Sequence, residues 1–270
     1  MKITFLGGGN MAAALIGGLV KQGFNGADVQ VVELSAEGRA KLQAGFGVRA
    51  VGELDDVALA CDVLVLAVKP QQLKAAVAPL AGRLGAQVVV SIAAGLRLGD
   101  IGRWLGDYRK LVRAMPNTPA LIGAGITGLF ADASVDAAGR AAAERVLSAV
   151  GSTVWVSDEA QIDGVTAISG SGPAYVFHFI ECLQASGEAL GFDAATARKL
   201  AIDTVLGAAR LAAGSEESPG VLRERVTSKG GTTEAALKSF AADGFPAIVE
   251  RAVKAAEARG RELGDQLGRD

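Results

Sequence analysis

An apolar run, Lys2-Ile3-Thr4-Phe5-Leu6, leads without a break into Gly7-Gly8-Gly9-Asn10-Met11-Ala12. A strand, a glycine turn and a helix in this order leave few folds open. Gly7 allows a tight turn after the strand. Gly9 carries no side chain, so backbone amides can come close to a pyrophosphate. Ala12 stands where a third glycine often sits and lets the helix pack near the strand. Gly8, Asn10 and Met11 complete the cradle. The helix is predicted over residues 10–22, with Gly23 as its C-terminal stop. Its first N–H groups and its dipole suit negative phosphates. Residues 29–33 follow as a second strand that ends in an acid, Glu33. The unit is that of a dinucleotide-binding fold.

The rest of the composition narrows the class. The chain has 270 residues, 50% of them hydrophobic but only 5% aromatic. Its core must therefore be built from Ala, Val and Leu rather than rings. A net charge of −2 gives no electrostatic footprint for nucleic acid. No apolar run reaches the ~18 residues needed to span a bilayer, so no membrane partner is expected. Met1 leads directly into a strand, so no secretory leader is expected either. The two cysteines, Cys61 and Cys182, lie far apart in sequence. The expectation is a reduced, cytoplasmic protein with both thiols buried. One histidine and no CxxC leave no zinc site, and no metal is expected.

The chain changes character near residue 157. Before it, β-rich runs recur at 3–6, 29–33, 63–68, 87–92 and 110–115, with two more expected at 125–130 and 152–156. Helical periodicity lies between them, as at 71–84 and 135–150. Continuous apolar strands separated by helices predict a parallel sheet covered on both faces. After Ser157 the strand signal vanishes. Helices are predicted over 173–190, 194–213, 232–242 and 246–267, with Asp193 as an N-cap and Pro173 at a first helical position. The domains are therefore set at 1–157, dinucleotide-binding, and 158–270, all-helical. Ala174-Tyr175-Val176-Phe177-His178-Phe179-Ile180 has almost no polar face, so its helix must be buried in its own domain or against a partner subunit. The charged tail, 259–270, is expected to fray.

Ligands of open α/β sheets sit beyond the carboxyl ends of the strands. Loops expected there are Ala67-Val68-Lys69-Pro70, Ile92-Ala93-Ala94-Gly95 and Arg113-Ala114-Met115-Pro116-Asn117-Thr118-Pro119. Lys69 could face a phosphate or ribose, Pro70 starts a helix, and Ala93, Ala94 and Gly95 leave room for a flat nicotinamide. Asn117, between two prolines, could bond a carboxamide. Glu33 can accept hydrogen bonds from a 2′,3′-diol and would repel a 2′-phosphate, which favours NADH. Ser35 and Arg39 could offset that charge for NADPH, so the cofactor is left as NADPH or NADH.

Two later loops place small residues before a helix. They are Ser169-Gly170-Ser171-Gly172-Pro173 and Val226-Thr227-Ser228-Lys229-Gly230-Gly231-Thr232-Thr233-Glu234. Such a loop can hold a substrate carboxylate or can be a plain N-cap.

Taken together, Gly-Gly-Gly-Asn-Met-Ala at 7–12, Ala-Val-Lys-Pro at 67–70, Met-Pro-Asn-Thr-Pro at 115–119, Ser-Gly-Ser-Gly-Pro-Ala-Tyr at 169–175 and Thr-Ser-Lys-Gly-Gly-Thr-Thr at 227–233 occur in an order that resembles the Δ1-pyrroline-5-carboxylate reductase family. The resemblance covers nearly the whole chain. It implies an α/β Rossmann-type N-terminal domain followed by an all-α dimerisation domain, and a homodimer or higher homo-oligomer. It implies 1-pyrroline-5-carboxylate as substrate and L-proline as product. The loop matching 227–233, with Ser228, Gly230, Gly231 and Thr232, would hold the substrate carboxylate, and Thr233 would face the imine nitrogen as the catalytic residue. Glu159 matches a carboxylate near the substrate. Two positions depart from the family habit. Lys229 replaces a frequent proline, and Glu33 stands where relatives that take NADPH carry a polar, uncharged residue.

The chemistry needs no strong base. A protonated cyclic imine accepts hydride at carbon, so alignment and a steadied nitrogen suffice. His178, on an apolar helix, is expected in a core or interface role. Other imine reductases and β-hydroxyacid dehydrogenases share such a domain pair, but the latter would want a lysine after Gly172, and none lies between Pro173 and Leu190. A non-catalytic NAD(P)-binding sensor would have no need of the loop at 227–233.

Overall fold

The computed structural model describes residues 1–269. Eight strands form one sheet: β1 (Ile3–Leu6), β2 (Val29–Val32), β3 (Arg49–Val51), β4 (Val63–Leu66), β5 (Val88–Ser91), β6 (Leu111–Met115), β7 (Gly125–Ala131) and β8 (Gly151–Trp155). Their order is β3-β2-β1-β4-β5-β6-β7-β8. The sheet is parallel except where β7 runs antiparallel to β6. This is the doubly wound order of a dinucleotide-binding fold, extended by a last pair of strands.

Why the strands read as continuous apolar runs follows from their two covered faces. Ile3, Phe5, Val63 and Val65 point to one face and pack with Leu15, Ile16 and Leu19 of α1 (Asn10–Lys21). Leu6, Leu64 and Leu66 point to the other and pack with Leu73, Val77 and Leu80. Each buried leucine or isoleucine contributes about 2 kcal/mol. The connecting helices are α2 (Ala36–Phe46), α3 (Asp56–Leu59), α4 (Pro70–Val77), α5 (Leu98–Trp104) and α6 (Ala137–Leu147), followed by the short α7 (Gln161–Val165). Side chains cap several of them: Ser35 accepts from the Gly38 N–H and Asp136 from the Gly139 N–H. The helix expected over 71–84 stops early, with α4 giving way to a 3₁₀ turn at Ala78–Leu80 that contains Pro79.

Two compact units emerge. One joins residues 1–171 with 256–270, and the other holds 172–255. The change in sequence character near 157 and this division by packing therefore fall at different places. The second unit contains α8 (Gly172–Ala189), α9 (Ala194–Ala213), α10 (Pro219–Arg225), α11 (Thr232–Ala242) and the first part of α12 (Phe245–Leu267). Asp193 caps α9, accepting from the Thr196 N–H at 3.0 Å.

Several expectations are corrected. The tail at 259–270 does not fray over its described part. α12 stays helical to Leu267, which packs on the second core cluster. Asp265 pairs with Arg97 at 2.7 Å, and the Gly268 carbonyl accepts from Arg103 at 2.9 Å. Asp265 and the Gly268 carbonyl dock this segment, while Arg259 and Arg261 pair along α12 with Glu262 and Glu257; Asp270 lies outside the described residues. The small-residue stretch at 169–172 is no open loop. Residues Thr166–Gly170 form a π-helical turn that leads into α8. Thr166 and Ser169 donate back to the carbonyls of Ile162 and Val165, which stabilises that widened turn. Cys182 is exposed and Cys61 half-buried, where burial pushes the thiol up from its ordinary value. His178 is exposed on α8 and contacts Glu181, so it is no core residue in the single chain. No helix among the described residues is long and apolar enough to cross a membrane.

The last turns of α12 fit only because position 264 is glycine: an added Cβ would lie 2.7 Å from the Gly95 carbonyl oxygen. Gly264→Val is expected to cost about 2 kcal/mol by overpacking. Urea unfolding would read that loss, and amide exchange should accelerate over 256–269; unchanged exchange would mean the tail is not held there.

Candidate functional site

Aligned register puts the carboxyl ends of the central strands side by side. Leu6 is level with Val32 and Leu66, and Leu66 with Ser91. The turn after β1 begins with Gly7 at φ +102°, and a Cβ there would fall 2.8 Å from the Ala67 carbonyl oxygen. Only glycine permits both that backbone angle and that approach. Gly9 caps α1 with extended backbone and no side-chain hydrogen bond, and a Cβ on it would meet nothing within 4 Å. The first N–H groups of α1, from Asn10 and Met11 onward, thus start a helix with no acid in its first turn. Ala12 is buried against the sheet. An uncapped helix start over a side-chain-free turn fits a pyrophosphate.

Glu33 lies beside this turn. Its carboxylate accepts from the Gly8 N–H at 2.9 Å and from the Ser35 N–H at 2.8 Å. Ser35 in turn caps α2 through its hydroxyl. On the other side, Ala67 and Val68 lead to Lys69, an exposed residue in extended backbone, and Pro70 begins α4. The next loop follows β5. Ala93 is buried, Ala94 exposed, and Gly95 turns at φ +81° beneath the end of α12. The structure therefore gathers Gly7–Ala12, Glu33, Ser35, 67–70 and 93–95 at one sheet edge.

Asn117 is placed differently from the simple expectation. Its side-chain amide donates to the Ser169 carbonyl at 3.1 Å, and its Oδ1 accepts from the Ile126 N–H at 3.0 Å. The amide end ties the β6–β7 connection to the π-helical turn, and the carbonyl end ties it to the start of β7. Glu159 accepts from the Leu98 N–H at 2.7 Å, at the start of α5. It also faces Arg113, a residue not singled out in the sequence as part of the site. Arg113 is 2% exposed and donates to Asp163 at 2.8 Å, with Glu159 at 3.4 Å. The signal is a charge in the middle of the otherwise apolar residues 111–115.

In the second unit, Gly230 takes φ +73° and its N–H donates to Glu234 at 2.7 Å. Gly231, whose N–H donates to the Ser228 carbonyl at 3.0 Å, precedes α11 without a side-chain cap. Thr232 and Thr233 open that helix, while Ser228, Lys229 and Thr232 are exposed. Among the described residues no cluster of three or more His, Cys, Asp or Glu could hold a metal.

Known proteins match along the whole chain. A reductase named pyrroline-5-carboxylate reductase from Pseudomonas aeruginosa is 50% identical, over 99% of this chain and 98% of that protein. The chain belongs to the pyrroline-5-carboxylate reductase family. The family model described as pyrroline-5-carboxylate reductase dimerisation matches residues 159–263, and one described as NADP oxidoreductase, coenzyme F420-dependent, matches 2–95. A solved pyrroline-5-carboxylate reductase from Coxiella burnetii superposes with a TM-score of 0.93 at 43% identity, covering 97% of this chain and 98% of its own. A Plasmodium falciparum pyrroline carboxylate reductase, solved with NADP bound, gives 0.85 at 27% identity, with 98% of each chain covered. The dinucleotide-binding fold and the helical C-terminal region expected from the sequence are thus those of this reductase family.

Within that family fold, Arg113 is a buried cation between two acids. Asp163→Ala is expected to cost about 3 kcal/mol, because it strips a buried charge of its nearest partner. Chemical denaturation would measure it; a loss under about 0.5 kcal/mol would show that Glu159 alone satisfies Arg113.

Proposed function

We propose that this chain reduces 1-pyrroline-5-carboxylate to L-proline with NAD(P)H. The observation that carries the reading is the match to named pyrroline-5-carboxylate reductases over nearly the full length. The sheet-edge geometry supports it: the Gly7–Gly9 turn, the uncapped start of α1 and the small residues at 93–95 fit a dinucleotide. When bound, the reduced nicotinamide supplies the hydride.

The chain's own residues do the rest. The loop at 227–233 holds the substrate carboxylate, with Ser228, Gly230, Gly231 and Thr232 at the start of α11. Thr233 hydrogen-bonds the ring nitrogen and steadies its proton while the ring carbon is reduced. Glu159 stands near the substrate, with Arg113 and the Leu98 N–H fixing its carboxylate. Lys69 belongs to the cofactor side of the site, whereas the side chain of Asn117 is engaged within the protein. A protonated imine needs alignment more than a base, which suits a chain whose single histidine is exposed and paired with Glu181.

The reading includes a cytoplasmic homo-oligomer built through the C-terminal helices. α8 has no buried residue in the single chain, and Phe177 and Leu211 are each 61% exposed. An apolar surface of that kind is covered by another subunit in a soluble protein.

Oxidation of NADH and of NADPH, followed with pyrroline-5-carboxylate as acceptor, tests the reaction. Turnover with at least one is expected, and none with either would sink the proposal. Thr233→Ala should lower kcat/KM by about 10- to 100-fold, the loss of one hydrogen bond to a charged group, and Thr233→Ser should restore most of it. Full activity in the alanine variant would remove Thr233 from the reaction.

A further inference from the structure

The end of β2 carries a fixed negative charge that the proposed reaction does not by itself require. The Glu33 N–H donates to the Val51 carbonyl at 2.9 Å, which ties its backbone to β3. Its side chain is held from two directions. Oε2 accepts from the Gly8 N–H at 2.9 Å, and Oε1 accepts from the Ser35 N–H at 2.8 Å. One donor lies in the turn after β1 and the other in the turn into α2, so the carboxylate bridges two rigid segments and cannot swing aside without losing both bonds. Gly8 makes room for it: a Cβ there would sit 3.1 Å from Oε2 and 2.7 Å from Leu42 Cδ1.

A carboxylate oxygen has two acceptor positions. With one position on each oxygen engaged by the backbone, one on each remains. That pattern suits a vicinal diol, which brings two O–H donors. It opposes a phosphate monoester, which brings like charge and acceptors only.

The neighbouring cations do not reverse this balance. Arg39 uses Nη1 on the carbonyls of Glu33 and Leu34, both at 2.8 Å, and lies over Gly52. Lys41 pairs with Glu37 at 2.6 Å on the exposed side of α2. Ser35 is occupied as the α2 cap, and Glu37 adds a second acid in the first turn of that helix. In dinucleotide folds the adenosine ribose lies at the end of the second strand.

We propose that Glu33 selects a free adenosine 2′,3′-diol over a 2′-phosphate, so that this chain takes NADH in preference to NADPH. This rests on the dinucleotide site proposed above, and it sets the chain apart from the Plasmodium falciparum relative solved with NADP bound.

The test is direct titration of the full-length protein with NADH and with NADPH, followed by nicotinamide fluorescence and by calorimetry, beside kcat/KM for each. NADH is expected to bind at least tenfold more tightly. Glu33→Ser should narrow that ratio at least tenfold, mainly by strengthening NADPH. Glu33→Gln, close to the native side chain in size, should move it the same way, which guards against a serine variant that folds poorly. Equal binding, or tighter NADPH, would overturn the proposal; if Arg39→Ala then abolished NADPH binding, the arginine rather than the acid would be the reader. A preference for NADH unchanged in both Glu33 variants would overturn the assignment to this residue. NADH-selective binding without turnover of pyrroline-5-carboxylate would leave the inference standing and sink the reaction.

Discussion

The contact on which the site depends is the passage of Gly7 beneath the carbonyl of Ala67. Two parallel strands end level with each other, and the chain must turn off one of them without striking the other. A residue with no side chain and a positive φ solves both problems at once. Everything downstream inherits the result. α1 starts where its N–H groups face outward, Gly8 comes within hydrogen-bond reach of Glu33, and the Ala67–Pro70 segment is set on the opposite side of the same gap. The sheet supplies rigidity, and the small residues at its edge supply space.

Around this edge the polar groups are distributed by burial. Glu33 is tied by backbone donors at the rim, where solvent still screens it. Arg113, Glu159 and Asp163 lie deeper and satisfy one another across β6, α7 and the start of α5. A buried ion cluster of this sort adds little net stability over an apolar replacement, but breaking it is costly. Its value is geometric: it fixes a carboxylate against the loop that follows β5, with an arginine that cannot lose its charge.

Period and punctuation make most of this fold legible in the sequence. The apolar runs at 3–6 and 29–33 become β1 and β2, and the helices expected at 194–213 and 232–242 are α9 and α11. Failures came where tertiary contacts override local signals. The charged tail reads as solvated until Asp265 meets Arg97 and Gly264 meets Gly95. Small residues at 169–172 read as a loop, because a π turn leaves no distinct pattern in sequence; its carbonyl partners are side chains four residues on. β3 is only three residues long, too short to show a strand period in sequence. For the site, glycines and prolines marked the loops, whereas Arg113 looked like an ordinary strand charge. Asn117 was found by its setting, but its partners, Ser169 and Ile126, lie too far along the chain for spacing to reveal.

The docking of α12 has a consequence for how the molecule is made. Its last turns lie against Gly95 and Arg97, in the loop that follows the fifth strand, although the whole helical unit intervenes in the chain. During synthesis the earlier strands and helices leave the ribosome first and can pair among themselves. That loop, however, lacks its final partner until the carboxyl terminus is free. The first unit to be synthesised is thus the last to be completed, and a chain cut short before Leu263 would leave the loop after β5 unsealed however well its sheet had formed.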